Sequence, residues 1–234
     1  MLIVMLLISF IPPLIIMGIL AFRKKDKKYR KDCLTMFKNG ALSALGIMAL
    51  DLVITIVFNM LKLYEVSAYL TAFLKAFIIN AFVEELMKCR FAIRGIKSNK
   101  IAYSFFDLMS FFAITAGGFE LLEAVVYFFG TNAGQIIVRG LTSLHIMYGL
   151  TMGYFMAKGK LTGQKKYNVF ALLIPIFLHG VYNFGLKEGV AEGFAVSTFA
   201  SLGISMVIGI GLLIWMYRNR SKEEYNKILG EGKL

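Results

Sequence analysis

The chain has 234 residues, 58% of them hydrophobic, with a mean hydropathy of +0.70. The apolar residues come in runs long enough to cross a bilayer rather than at amphipathic spacing, which excludes a soluble globular domain and points to a polytopic membrane protein. The formal net charge of +12 would raise the question of nucleic acid in a soluble protein, but here the basic residues lie between the apolar runs. They read as topology signals, so no nucleic-acid partner is expected.

Residues Leu2 to Phe22 form the first apolar run, with no basic residue before it and a dense cluster from Arg23 to Lys31 directly after it. A secretory signal peptide has the reverse charge order, so this is expected to be a retained helix with its N-terminus outside. Pro12 and Pro13 are expected to bend it. Further apolar runs at about 41–63, 68–93, 104–128, 136–157, 169–186 and 196–217 bring the expectation to about seven transmembrane helices in one all-α bundle.

Stretches 23–38, 88–100 and 158–168 and the tail from Arg218 hold 22 of the 26 Lys and Arg, whereas the alternate loops at 64–67, 130–135 and 187–195 hold only Lys187. That asymmetry predicts an N-out, C-in orientation. Cys33 and Cys89 both fall in the basic stretches placed on the cytoplasmic side, so no disulfide is expected. Tyr64, Tyr69, Tyr127, Trp215 and Tyr217 are placed as interfacial anchors. Residues 1–217 read as a single transmembrane domain, and 218–234 as a short basic tail on the cytoplasmic surface, with an amphipathic piece around Tyr225, Ile228 and Leu229.

The functional signal is a set of ionisable residues inside the apolar runs. An ionised side chain at membrane depth costs roughly 2.5 to 3.5 kcal/mol on insertion scales, so such residues mark function. Glu84 and Glu85 end a long hydrophobic run. They lie about 100° apart on a helix, so one can face a reaction centre while the other holds structure, and Lys88, at i+4 and i+3, can neutralise either.

Glu120 and Glu123 share a face just after the flexible pair Gly117 and Gly118. They repel unless a cation or metal lies between them, and Arg139 is a candidate partner. His145 and Gly149 share a face, where the glycine lets another backbone come close, and so do His179 and Asn183. Pro175, four residues before His179, is expected to open that helix. Counted at about 1.5 Å per residue, both histidines lie near the midplane; Glu84 joins them only if its helix runs from about Leu70 to Arg94, and Glu120 only if its span starts near Leu108. Asp51, in the second run, has only a packing or helix-pairing role to offer.

These residues resemble the PrsW family of intramembrane proteases, related to the CAAX-processing and bacteriocin-processing membrane endopeptidases. The family's Glu-Glu-x-x-Lys block, Phe-Glu-x-x-Glu block and two His-led blocks are matched by Glu84-Glu85-Lys88, Phe119-Glu120-Glu123, His145-Gly149 and His179-Asn183, over about residues 66–186. The resemblance implies a protease of the bacterial cytoplasmic membrane that cuts single-span, membrane-anchored substrates such as anti-sigma factors, so that a stress response begins.

It also implies roles. One of Glu84 and Glu85 would be the general base, His145 would orient the water, and His179 and Asn183 would stabilise the oxyanion. Lys88, Glu120, Glu123 and Gly149 would support them. A Zn²⁺ ion, if present, would be bound by His145, His179, Glu120 and Glu123, although no His-Glu-x-x-His motif is present. Buried Glu and His chains also serve proton-coupled transporters and channels, but neither an internal repeat nor paired broken helices are visible. A non-catalytic membrane scaffold of the same fold is the remaining alternative.

Overall fold

The computed structural model describes residues 2–128, 138, 140–187, 191–231 and 234. The 130–135 loop and Arg139 lie outside the described residues, as does the side chain of Tyr127. The elements in chain order are α1 (Leu2–Ala21), α2 (Lys27–Met60), a 3₁₀ turn (Leu63–Glu65), α3 (Ala68–Phe73), a π-helix (Leu74–Val83), α4 (Glu84–Ser98), β1 (Ala102–Ser104), α5 (Phe105–Phe128), α6 (Leu144–Thr162), α7 (Lys166–Phe184), α8 (Ala191–Arg218), α9 (Glu223–Asn226) and β2 (Ile228–Glu231). The chain is thus nearly all-α. Among the described residues, four helices are long and apolar enough to cross a membrane: Lys27–Met60, Phe105–Val126, Lys166–Phe184 and Gly193–Arg218, with Leu7–Ala21 a shorter apolar one.

α5 is the axis of the bundle. Every residue from Tyr103 to Leu121 is buried, as expected of a helix that is apolar on all sides. Close approach is made by glycine. A Cβ at Gly40 would collide with the carbonyl of Thr115, and one at Gly118 with that of Phe37, so α2 and α5 cross with their backbones in contact. Gly149 and Gly153 let α6 lie on α5 at Ala113 and Met109 in the same way. The Gly117–Gly118 pair therefore serves packing, and α5 runs through it unbroken. α1 and α7 likewise continue through Pro12, Pro13 and Pro175.

Two of the basic stretches between the apolar runs, 23–38 and 88–100, are largely helical. Asp26 caps α2, its carboxylate accepting from the Lys28 amide at 2.8 Å, and the first turns bury Tyr29, Cys33 and Met36. The 88–100 stretch is mostly α4, and Cys33 and Cys89 are free, buried and intrahelical. At the α1–α2 corner, Asp107 accepts from Arg23, from Lys24 at 2.7 Å and from the Ser104 amide at 2.9 Å, pinning the start of α5.

The tail is docked rather than simply laid on the surface. β2 pairs antiparallel with β1, and Tyr225 packs with Phe105, Phe106 and Trp215 at ring distances of 5.0 to 5.3 Å. Trp215 is thus a packing residue, while Tyr69 and Tyr217 are 59% and 65% exposed as anchors should be.

Candidate active site

The helical run from Ala68 to Ser98 includes the 70–94 extent expected of the Glu84 helix, and α5 begins at Phe105, three residues before Leu108. The π-helix ends at Val83, directly before Glu84; such wider turns are rare and frequent at functional sites. The ring of Phe77, within it, packs on Gly180 beside His179.

The blocks meet around the Lys88 ammonium. Its Nζ is 2.7 Å from Glu85 Oε1, 2.9 Å from His145 Nδ1 and 3.5 Å from Glu84 Oε2, and it lies 4.2 Å from the centre of the Phe119 ring. Since an ammonium only donates, His145 accepts at Nδ1 and its Nε2–H donates to Glu123 Oε2 at 2.8 Å. His179 Nδ1 is 2.9 Å from Glu85 Oε1, and its Nε2 is 4.0 Å from Glu84 Oε2. Glu85 is fully buried, at 0% exposure, while Glu84 is at 7%. Desolvated charges of this kind are tolerated when paired and hydrogen-bonded; Lys88 and His179 meet this need at Glu85 Oε1, while Glu85 Oε2 is buried without a hydrogen-bond partner among the described residues.

Glu120 and Glu123 escape mutual repulsion by taking different partners: Glu123 takes His145, and Glu120 accepts from the Ile146 amide at 3.3 Å. The metal-type donors that come together, with ligand atoms within 4.8 Å of one another, belong to Glu84, Glu85, His145 and His179 rather than to the expected set with Glu120 and Glu123. Gly149 serves the α5–α6 contact and holds no part of the polar cluster.

A cavity of about 30 Å³ opens beside the histidines, lined by Glu120, Glu123, His145, His179 and Asn183 and by Ser9 of α1. The Asn183 amide nitrogen is buried there without a hydrogen-bond partner among the described residues. Two further lining residues, Tyr148 and Tyr182, lie inside the two His-led blocks, where the sequence reading gives roles to His145, Gly149, His179 and Asn183 alone. Tyr148 stacks on His179 at 5.2 Å. Both could have been found, because each follows its histidine by three positions in the repeated pattern His145-Ile-Met-Tyr148 and His179-Gly-Val-Tyr182. Ser9 carried no such signal.

The sequence pattern of the PrsW family intramembrane metalloproteases matches residues 30–216 of this chain. The chain belongs to the PrsW family. Among its PrsW relatives, the "Protease PrsW" of Clostridioides difficile (strain 630) is 29% identical over 189 residues, covering 76% of this chain and 77% of that protein. That of Oceanobacillus iheyensis is 31% identical over 171 residues, covering 68% and 75%, and that of Shouchella clausii is 27% identical over 203 residues, covering 83% and 90%. No solved structure matches. Family membership and the apolar helices make this PrsW protein a peptidase of the multi-pass bacterial membrane type. The match leaves out α1, although Ser9 lines the cavity.

Proposed function

We propose that this PrsW protein hydrolyses peptide bonds of membrane-anchored, single-span proteins within the bilayer, with water activated by Glu84. Supporting this reading is the placement of Glu84 at a cavity wall and 4.0 Å from His179 Nε2, a separation that one water bridges. Glu85 holds the Lys88 ammonium and the Nδ1–H of His179, which leaves the His179 Nε2 lone pair facing the water. As the water oxygen attacks the scissile carbonyl carbon, Glu84 takes its proton and later passes it to the departing nitrogen. Asn183, which lines the adjoining cavity beside the histidines, donates to the oxyanion. His145, fixed between Lys88 and Glu123, keeps the ammonium in place beside the two glutamates. His179 thus takes the water side in this proposal, rather than the oxyanion side.

The family description names a metal, and the donor types fit one. Two imidazoles and two carboxylates are zinc-type ligands, and Glu123 on the far nitrogen of His145 is the kind of carboxylate that orients a ligating ring. With Lys88 turned aside, Glu84, Glu85, His145 and His179 would hold the ion, which would polarise the carbonyl and sharpen the water as a nucleophile. With Lys88 in place, its ammonium supplies the positive charge at that point, and we favour the glutamate reading for this reason.

The orientation we propose is N-out and C-in with seven spans, residues 1–217 forming one domain and 218–234 its cytoplasmic tail. Anti-sigma factors are the substrates we propose, as the family resemblance implies. A transporter reading finds no support in a cluster closed around Lys88. The test is purified protein with a tagged single-span substrate: wild type is expected to cut it, and Glu84→Gln to leave it intact. Equal cleavage by both would sink the assignment.

A further inference from the structure

A second cavity lies between α2, α4 and α5. Its polar lining is Asp51, Glu84 and Glu123, and its apolar walls include Ala44, Ile47 and Phe119. Its volume is about 80 Å³, and since a water needs about 10–15 Å³ of such space, it holds several. Glu123 lines this cavity and the one that contains Asn183, so the two adjoin at the polar cluster.

The two linings differ in hydrogen-bonding sense. Beside the carboxylates of Glu120 and Glu123, the Asn183 side offers an amide and tyrosine hydroxyls, which can donate to a peptide carbonyl. Ionised, the polar groups of the second cavity are three carboxylates, which only accept. A carbonyl finds nothing to bind there, whereas a water, with two protons to donate, does.

The way in is also marked. In the last part of α2, from Met48 to Met60, the polar residues are Asp51, Thr55 and Asn59, at i, i+4 and i+8, hence on one stripe of an otherwise apolar segment. Thr55 Oγ1 donates to Asp51 Oδ1 at 3.3 Å, and the half-buried Tyr64 follows in the 3₁₀ turn. The stripe runs from the Met60 end of α2 to the cavity.

We propose that this cavity is the water antechamber of the protease, and that Asp51 holds the water that resupplies Glu84. The proposal rests on the reading of Glu84 as base. Each cut consumes one water: its oxygen bonds to the carbonyl carbon, the C–N bond breaks, one proton goes through Glu84 to the nitrogen, and Glu84 is left as carboxylate. The scissile carbonyl faces the Asn183 side at that moment, so the next water arrives from the other side.

Two measurements test this. In a Cys33→Ala, Cys89→Ala background in membrane vesicles, Ile47→Cys is exposed to silver ion, which reaches thiols through water, then denatured and titrated with a maleimide. The expected result is silver protection of Ile47→Cys and none of Val207→Cys, a residue 73% exposed on α8. In cleavage assays, Asp51→Leu should lower kcat about ten-fold or more with KM within about two-fold, and Asp51→Asn, which still bonds water, should stay within about three-fold of wild type.

No silver protection at residue 47, or an Asp51→Leu effect carried by KM, overturns the proposal. Should Asp51→Leu fail to fold, Asp51→Asn and the silver experiment decide. The silver result needs no activity, so its failure beside an inactive Glu84→Gln removes the antechamber alone, whereas an active Glu84→Gln removes the base and with it the supply role of Asp51, even where silver shows that the cavity holds water.

Discussion

Glu84 and Glu85 are neighbours in the chain with different surroundings, and the difference can be measured. Glu85 Oε1 accepts from both Lys88 and His179 in a fully buried position. Glu85→Gln removes the countercharge of a buried ammonium, and a broken buried pair costs about 3–5 kcal/mol, so this variant should melt well below wild type in detergent. Glu84→Gln keeps the Glu85–Lys88 pair and should melt close to wild type while losing cleavage. If the two variants show the reverse pattern, the roles are exchanged. Asn183→Ala should lower kcat by about 10² to 10³ with little change in KM, because an oxyanion donor acts mainly in the transition state. A carboxylate base works only unprotonated, so activity should fall on the acid side and survive chelators; loss on chelation with recovery on added Zn²⁺ would favour the metal reading instead.

The helices approach one another where side chains are missing. Gly40 faces the Thr115 carbonyl with no room for a Cβ, whereas Gly18 in α1 has open space around it. Gly40→Val should therefore separate α2 from α5, lower the melting temperature and take activity with it, at a cost of about 1–3 kcal/mol or more for overpacking. Gly18→Ala should be neutral in both. A stable, active Gly40→Val would mean that the α2–α5 crossing does not support the site.

Across the whole molecule, the charge asymmetry of the connecting stretches sets the proposed orientation. A single cysteine at Asn99 should be labelled by an impermeant thiol reagent from the cytoplasmic side, and one at Glu65 from the outer side; labelling of both from one side would break the span assignment. The two-stranded β1–β2 pairing ties the tail to the start of α5 at the end of the bundle away from Glu120 and Glu123, which lie several turns further along the same helix.

Hydropathy and spacing alone determined that this chain lives in a membrane as a helical bundle, and that Glu84, Glu85, Lys88, Glu120, Glu123, His145, His179 and Asn183 are the residues of interest. Burying ions in apolar runs is costly, so their presence is a local signal that needs no partner to be read. Which atoms meet was decided only by tertiary packing. Lys88 reaches His145 across 57 positions and Glu85 reaches His179 across 94, and such pairings depend on how α4, α5, α6 and α7 rotate against one another, which glycine contacts fix and periodicity does not. The same holds for Asp51, a helix-pairing residue by sequence and a cavity wall beside Glu84 in the fold. Charge at 23–38 marks a chain boundary in the sequence without breaking a helix, and the Asp26 cap with buried Tyr29 and Cys33 carries α2 straight through it.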